Sequence, residues 1–279
     1  MRLGGFVIHG NARETLGPCL EGPLEVCDEV VAVDSGATDG SSSLARAAGA
    51  RQVLVRWEGY GAARAAAAAA LSGCDYLFFL DADERLAEGA AEQIRAWRAS
   101  CPRLPHYRLP RRDWADLATG RFLFRVERHV RLVRGDAATW QAKMIVHEAL
   151  PRRPSLDLAA AIDHRFATSL EELEAKQERY ALLWALRARG EGWAAKSTFG
   201  RRAAHLLRDA VLKGALFRGG VPALRLAWAV SRYHVRKYQL LREVRMGKHE
   251  DLVRAFDAGR FAELFEPPAP PASTEGQKP

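Results

Sequence analysis

The chain has 279 residues, 48% hydrophobic and 27% charged, with a formal charge of +8 at neutral pH. That length accommodates one sizeable domain and a smaller appendage, and the composition excludes a wholly disordered or fibrous chain. Cys19, Cys27, Cys74 and Cys101 form no CxxC pair and no run of 18 apolar residues occurs, so zinc fingers and spanning helices are excluded and a cytoplasmic protein with free thiols is expected.

In chain order, short β-rich runs alternate with helix-like stretches through the first half, the pattern of an α/β domain with a mostly parallel central sheet. Strands are predicted near residues 3–8, 29–33, 52–56 and 76–80, and helices over 14–20, 42–48 and 62–71. Beyond residue 98, Pro102, Pro105 and Pro110 interrupt the chain, with strand-like pieces at 106–109 and 121–132. From Ser169 the pattern turns helical, and 203–216 and 224–241 also read as helices that mix an apolar side with Arg, Lys and His. The expected division is a catalytic domain over 1–165, a basic amphipathic helical region over 166–265 and a disordered Pro-rich tail over 266–279.

Ligands of open α/β sheets bind beyond the carboxyl ends of the strands. Each predicted strand here runs into a polar cluster: His9, Gly10 and Asn11; Asp34 to Gly40; Trp57 to Gly61; and Asp81, Ala82, Asp83 and Glu84. Asp81 and Asp83 lie two apart, so an extended backbone sends both carboxylates to one face, where they can hold a hard divalent cation, Mg²⁺ or Mn²⁺, against phosphate oxygens. An acidic turn with no metal would carry the same triplet. Asp34 can accept hydrogen bonds from a base or ribose, Gly36 and Gly40 permit close backbone approach, and Ser41 or Ser42 can cap the next helix.

The segment EVVAVDSGATDGS, followed by YLFFLDADERL, resembles glycosyltransferase family 2, and WEGYGAARAAA and the Asn11 region extend the likeness. HVRLVRGD, VHEAL and the later His164 resemble the lipopolysaccharide-core glucosyltransferase subgroup. The resemblance implies a GT-A fold with a C-terminal helical extension, and inverting transfer of a sugar from a nucleotide-diphosphate donor to a hydroxyl of a glycolipid or polysaccharide acceptor. It also implies that Asn11 and Asp34 contact the nucleoside, that Asp83 is the main metal ligand with Asp81 supporting the metal or ribose, and that Arg64 faces the diphosphate. Ala12 and Ala65 depart from the family pattern, standing where Glu and Asn are usual. Inverting transfer needs a general base beside the acceptor hydroxyl. Glu148 is the candidate, with Asp113 and Asp116 behind it, and His147 is a candidate metal ligand or diphosphate contact. Arg111, Arg112, Arg125, Arg128, Arg131 and Arg134 offer guanidinium forks for a phosphorylated acceptor.

Charge is unevenly placed, with 17 Lys and Arg against 7 Asp and Glu between residues 171 and 249. Such a basic helical region suits an anionic membrane surface, with Leu206, Leu207, Val211, Leu212, Leu216 and Phe217 as one apolar side and Trp228, Tyr233 and Tyr238 as interfacial aromatics. Packing of these sides on the catalytic domain is the alternative. A nucleic-acid partner is disfavoured, since no RNA-recognition aromatic motif or zinc site occurs.

Overall fold

The computed structural model describes residues 1–142, 144–145, 150–192 and 199–264. The chain begins with β1 (Leu3–His9), α1 (Arg13–Val26), β2 (Glu29–Asp34), α2 (Ser41–Ala47), β3 (Arg51–Leu54), α3 (Tyr60–Ala70) and β4 (Tyr76–Asp81). The four strands pair in parallel in the order β3, β2, β1, β4. Alternate side chains of β1, β2 and β4 enter different cores, while β3 lies at the exposed edge. Leu3, Val7, Phe78 and Leu80 pack with Leu16 and Leu20 of α1, while Phe6, Val31, Leu77 and Phe79 pack with Ala63 and Ala67 of α3. Burial on both faces explains why these strands read as continuous apolar runs.

Beyond β4 come β5 (Glu84–Leu86), α4 (Ala90–Ala99), β6 (His106–Leu117), β7 (Gly120–Arg134), β8 (Ser155–Asp157) and β9 (Ile162–Ala167). They extend the sheet in the order β4, β7, β6, β9, β5, with β8 beside β6. The β4–β7, β6–β7 and β5–β9 pairs are antiparallel, so the sheet is mixed, with its parallel half at the N-terminal end. The break expected around Pro110 does not occur, because β6 runs through it. On one side of β6, residues 106–108 pair with β8 and 111–115 with β9, so Pro110 falls in the gap between two neighbours, where a missing N–H costs least. Helix α1 likewise continues past the predicted stop at Leu20, through Pro23, because Gly22, Pro23 and Val26 are buried. Gly22 is required there, as an added Cβ would lie 2.7 Å from Leu86 Cγ.

Helix α5 (Leu170–Ala188) starts at Ser169, whose Oγ accepts from the Glu172 amide at 3.0 Å. Then follow α6 (Phe199–Leu207), a π turn over 208–212, α7 (Ala215–Arg245) and α8 (Glu250–Asp257). The single helix expected over 203–216 is thus divided among α6, the π turn and the start of α7, with the break at Gly214, φ 70°. Helix α7 is itself kinked at Gly220, where φ is 56° and ψ −138°. Leu183, Trp184 and Leu186 of α5 pack with Tyr238, Leu240 and Leu241 of α7, and Leu226 and Val230 of α7 pack on Phe122 and Phe124 of β7. Among the described residues no helix is long and apolar enough to cross a membrane. The Pro-rich tail lies outside them.

Candidate active site

The carboxyl ends of β1 and β4 open into a cavity of about 730 Å³, whose lining includes Asn11, Arg64, Asp81, Asp83, His164 and Lys176. Asn11 reaches it from the turn after β1, and its Oδ1 accepts from the Thr38 amide at 2.8 Å, so it also ties the turn after β2 to the rim. Asp34 is buried and spends its carboxylate on that same turn. Its Oδ1 accepts from the amides of Gly36 and Ala37 at 2.9 and 2.8 Å, and its other oxygen accepts from Ser42 Oγ. Burial would raise its pKa, but these hydrogen bonds, that of Ala37 foremost, hold it below the ordinary carboxylate range. The Asp34 carboxylate thus shapes the loop, and Asp34 is not among the residues that line the cavity.

The chain leaves the extended conformation at Ala82, and Asp81 and Asp83 on either side of it both line the cavity. Asp81 is gripped by two arginines, Arg64 at 2.6 Å on Oδ1 and Arg131 at 2.8 Å on Oδ2. Burial would raise its pKa, and the guanidinia of Arg131 and Arg64 overcome that and hold it low, although 35% of its side chain remains open to the cavity. Arg131 also binds Glu84, and its Nε has no hydrogen-bond partner among the described residues. Both guanidinia lie about 5 Å from the Phe79 ring, at 5.0 and 5.2 Å. Asp81 is thus already neutralised by protein cations.

Asp83 faces different company. His164 Nε2 stands 3.4 Å from its Oδ2 and Lys176 Nζ 3.2 Å away, while His164 Nδ1 lies 2.7 Å from Asp113 Oδ1. An imidazole whose far nitrogen is fixed by a buried carboxylate, with its near nitrogen beside a second carboxylate, is a recurrent metal-ligand arrangement. Among the described residues no three acidic, imidazole or thiol groups converge as a ready cage. The two groups present nevertheless fit Mg²⁺ or Mn²⁺, which take one or two protein ligands and complete their shell with phosphate oxygens and water.

Burial alone would lower the pKa of His164, but Asp83 and Asp113 raise it from 6.5 to about 9. The imidazolium between these carboxylates therefore contributes stability that is full below its unfolded pKa and lost as pH rises through about 9. A metal on Nε2 must displace the same proton. Metal-free protein is accordingly expected to lose stability from neutral pH to about 9, while Mn²⁺ affinity climbs by about tenfold per pH unit over that window. Melting curves and Mn²⁺ titrations in the same buffers check both slopes, and His164→Asn should flatten them.

The two glycines of WEGYG have a packing reason. Gly59 has φ 109°, and a Cβ on it would sit 2.5 Å from Ile145 Cα. A Cβ on Gly61 would strike the carbonyls of Gln141 and Met144, the latter at 2.8 Å. The amides of Tyr60 and Gly61 donate to the carbonyls of Ile145 and Met144 at 3.1 and 2.9 Å. The start of α3 thus clamps the backbone just before Val146, and Leu150 just beyond the next four residues lines the cavity. His147 and Glu148 fall outside the described residues. Gly61→Ala is expected to cost about 1–3 kcal/mol and most of the activity, because no rotamer relieves a clash with backbone oxygen. A urea midpoint that did not move would contradict this packing.

Several expectations are corrected by this geometry. The six arginines do not form a free phosphate-reading set, because each already has an acidic partner. Arg111 and Arg125 bind Asp113, Arg112 binds Asp163, Arg128 binds Asp157, Arg131 binds Asp81 and Glu84, and Arg134 binds Asp136. Asp113 is fully buried among Arg111, Arg125 and His164, which hold its pKa low against burial, so it cannot serve as a base. Asp116 is exposed near the β6–β7 turn and does not line the cavity. Conversely, Lys176 and Tyr180, one turn apart on α5, close the cavity without having been singled out for it. Tyr180 meets the Tyr60 hydroxyl at 2.6 Å.

A second cavity of about 510 Å³ lies between α5 and α7, where Arg232 pairs with Glu174 and Arg236 with Glu178. Two ion pairs line it, and none of the strand-end groups reaches it.

Residues 6–114 match the profile of glycosyl transferase family 2. The chain is similar to the lipopolysaccharide core biosynthesis glycosyltransferase LpsC of Rhizobium meliloti (strain 1021), at 30% identity over 192 residues, which cover 65% of this chain and 69% of that protein. It is also similar to an uncharacterized glycosyltransferase of Rickettsia conorii (strain ATCC VR-613 / Malish 7), at 29% identity over 33% of each chain. Among solved structures, glucosyl-3-phosphoglycerate synthase from Mycobacterium tuberculosis, in complex with Mn²⁺, UDP and phosphoglyceric acid, is 27% identical over 30% of this chain, with a TM-score of 0.28. That match spans about a third of the synthase, 34% of its length. The profile takes in β1 to β4 and the acidic turn at their ends, and the likeness to LpsC extends over most of that relative's length, so this chain belongs to glycosyl transferase family 2 and is a glycosyltransferase of GT-A fold.

Proposed function

We propose that the protein is an inverting glycosyltransferase that moves a sugar from a nucleotide-diphosphate donor to a hydroxyl of a glycolipid or lipopolysaccharide-type acceptor, with Mg²⁺ or Mn²⁺ at the donor diphosphate. The observation that carries this reading is the convergence of Asp83, His164 and Lys176 beside the Asp81–Arg64–Arg131 cluster at the strand ends. Asp83 and His164 would hold the metal, which supplies positive charge to the departing diphosphate. Lys176 would move from Asp83 to a phosphate oxygen. Asn11 and the loop shaped by Asp34 would border the nucleoside, and Arg64 and Arg131 would fix Asp81 and lend their field to the diphosphate. The acceptor class is supported by the name of the Rhizobium meliloti relative.

Asp81 and Asp83 are too firmly held by cations to be good bases, so the base is sought in Glu148, and His147 stands as a further metal or diphosphate contact. Both belong to the stretch between Ile145, whose carbonyl accepts from the amide of the cavity residue Tyr60, and Leu150, which lines the cavity. In this reading residues 1–165 are the catalytic unit, 166–265 the acceptor-side helical unit and 266–279 a tail. Lys176 and Tyr180 of the helical unit complete the donor cavity. Release of nucleoside diphosphate from a panel of UDP-, GDP-, ADP- and dTDP-sugars with Mn²⁺ or Mg²⁺ tests the reading. Turnover of one donor that chelation removes is expected, and turnover of none, with or without acceptor glycolipid, would overturn it.

A further inference from the structure

The turn between α6 and α7 carries large apolar side chains that nothing in the fold covers. Leu212 is 77% and Phe217 80% exposed. Along α7 the stripe continues at Val221, Leu224 and Trp228, spaced three and four residues apart on one face. Along α6 it continues at Leu207 and runs through Val211 of the π turn, again four residues apart. The two elements lie side by side, with the Arg202 guanidinium 3.6 Å from the centre of the Trp228 ring. Their other faces supply the core, since Leu206, Ala210, Ala223 and Leu226 pack with Phe122 and Phe124. The outer faces are therefore surplus to folding, and together they are unusual on a soluble surface.

Charge identifies the occupant. Between residues 199 and 228 there are six basic side chains and one acid, Asp209. Asp209 is fully buried against Arg125 and Arg208, and this pairing fixes the π turn to the catalytic sheet. Lys213 is matched by Glu127. Arg201, Arg202, Arg218 and Arg225 face no carboxylate among the described residues, and Arg218 binds only the carbonyls of Leu123, Phe124 and Lys213. Branched aliphatic side chains ringed by unpaired cations suit acyl chains beneath anionic headgroups. They do not suit a nucleic acid, since five of the seven exposed side chains, Leu207, Val211, Leu212, Val221 and Leu224, are aliphatic and offer no stacking face, nor a second copy, whose own cations would be brought against these.

We infer that the outer faces of α6 and the first half of α7 form a docking surface for an anionic lipid bilayer, with Leu212 and Phe217 entering deepest and Trp228 at the interface. This deepens the reading of a lipid-linked acceptor, but its test does not depend on that reading. Full-length protein is sedimented with vesicles of phosphatidylcholine alone or mixed with phosphatidylglycerol. Binding to the mixed vesicles at low salt is expected, weaker by about tenfold or more for the neutral ones, with release as salt is raised. Leu212→Glu combined with Phe217→Glu should abolish sedimentation while donor hydrolysis in free solution stays at the wild-type rate. Should that variant not fold, quenching of tryptophan fluorescence by brominated lipid in the mixed vesicles, reduced by Trp228→Phe, reads the same insertion. Absent or charge-independent sedimentation would overturn the inference, as would a concentration-dependent dimer that the double variant dissociates. Such a result would leave the donor assay, and the reading it supports, untouched.

Discussion

Asp83→Ala is expected to lower donor turnover by about 10³-fold or more, because a metal at a departing diphosphate is worth several kcal/mol. The reason is local. Asp83 is the cavity carboxylate that meets an imidazole, His164 Nε2 at 3.4 Å, whereas Asp81 has each oxygen occupied by an arginine. Asp81→Asn should act differently, by loosening Arg64 and Arg131 and weakening donor binding, with a smaller loss of turnover. The measurement is release of nucleoside diphosphate at saturating Mn²⁺. Wild-type rates for Asp83→Ala in the presence of chelator would remove the metal from the account.

Glu148→Gln is expected to leave donor binding intact and to lower transfer by about 10²–10⁴-fold, the usual reach of a general base. The substitution keeps the size of the side chain and removes its capacity to take a proton. Comparing donor affinity with the transfer rate separates this effect from a folding defect. Full transfer by Glu148→Gln would send the search elsewhere, and not to Asp113, which is fully buried and holds three cationic partners.

β1, β2 and β4 and their polar ends were legible in the sequence because both faces of the sheet are covered there, which produces continuous apolar runs that stop where the site begins. Asn11, Arg64, Asp81 and Asp83 all prove to line one cavity. What local pattern could not supply was pairing across long separations. His164 reaches Asp83 through β9, and Lys176 through α5, 81 and 93 residues further along the chain. The resemblance picked out His164 without giving it a role, and nothing near Lys176 in the sequence distinguishes it from a surface amine. Arg112, Arg125, Arg128 and Arg131 misled for the same reason, since their carboxylate partners sit on other strands. The expectation of an extended backbone through Asp81 and Asp83 did not hold, since the chain turns at Ala82, yet both residues line the cavity. The proline rule failed at Pro110, whose neighbours leave a gap in the ladder beside it.

The most direct test of the metal-assisted transfer site is Mn²⁺ binding to the full-length protein, read from the loss of the free-ion electron paramagnetic resonance signal. Wild type and Asp81→Asn should bind, and Asp83→Ala and His164→Ala should not. Binding that survives loss of both Asp83 and His164, or that vanishes only with Asp81, would contradict the assignment.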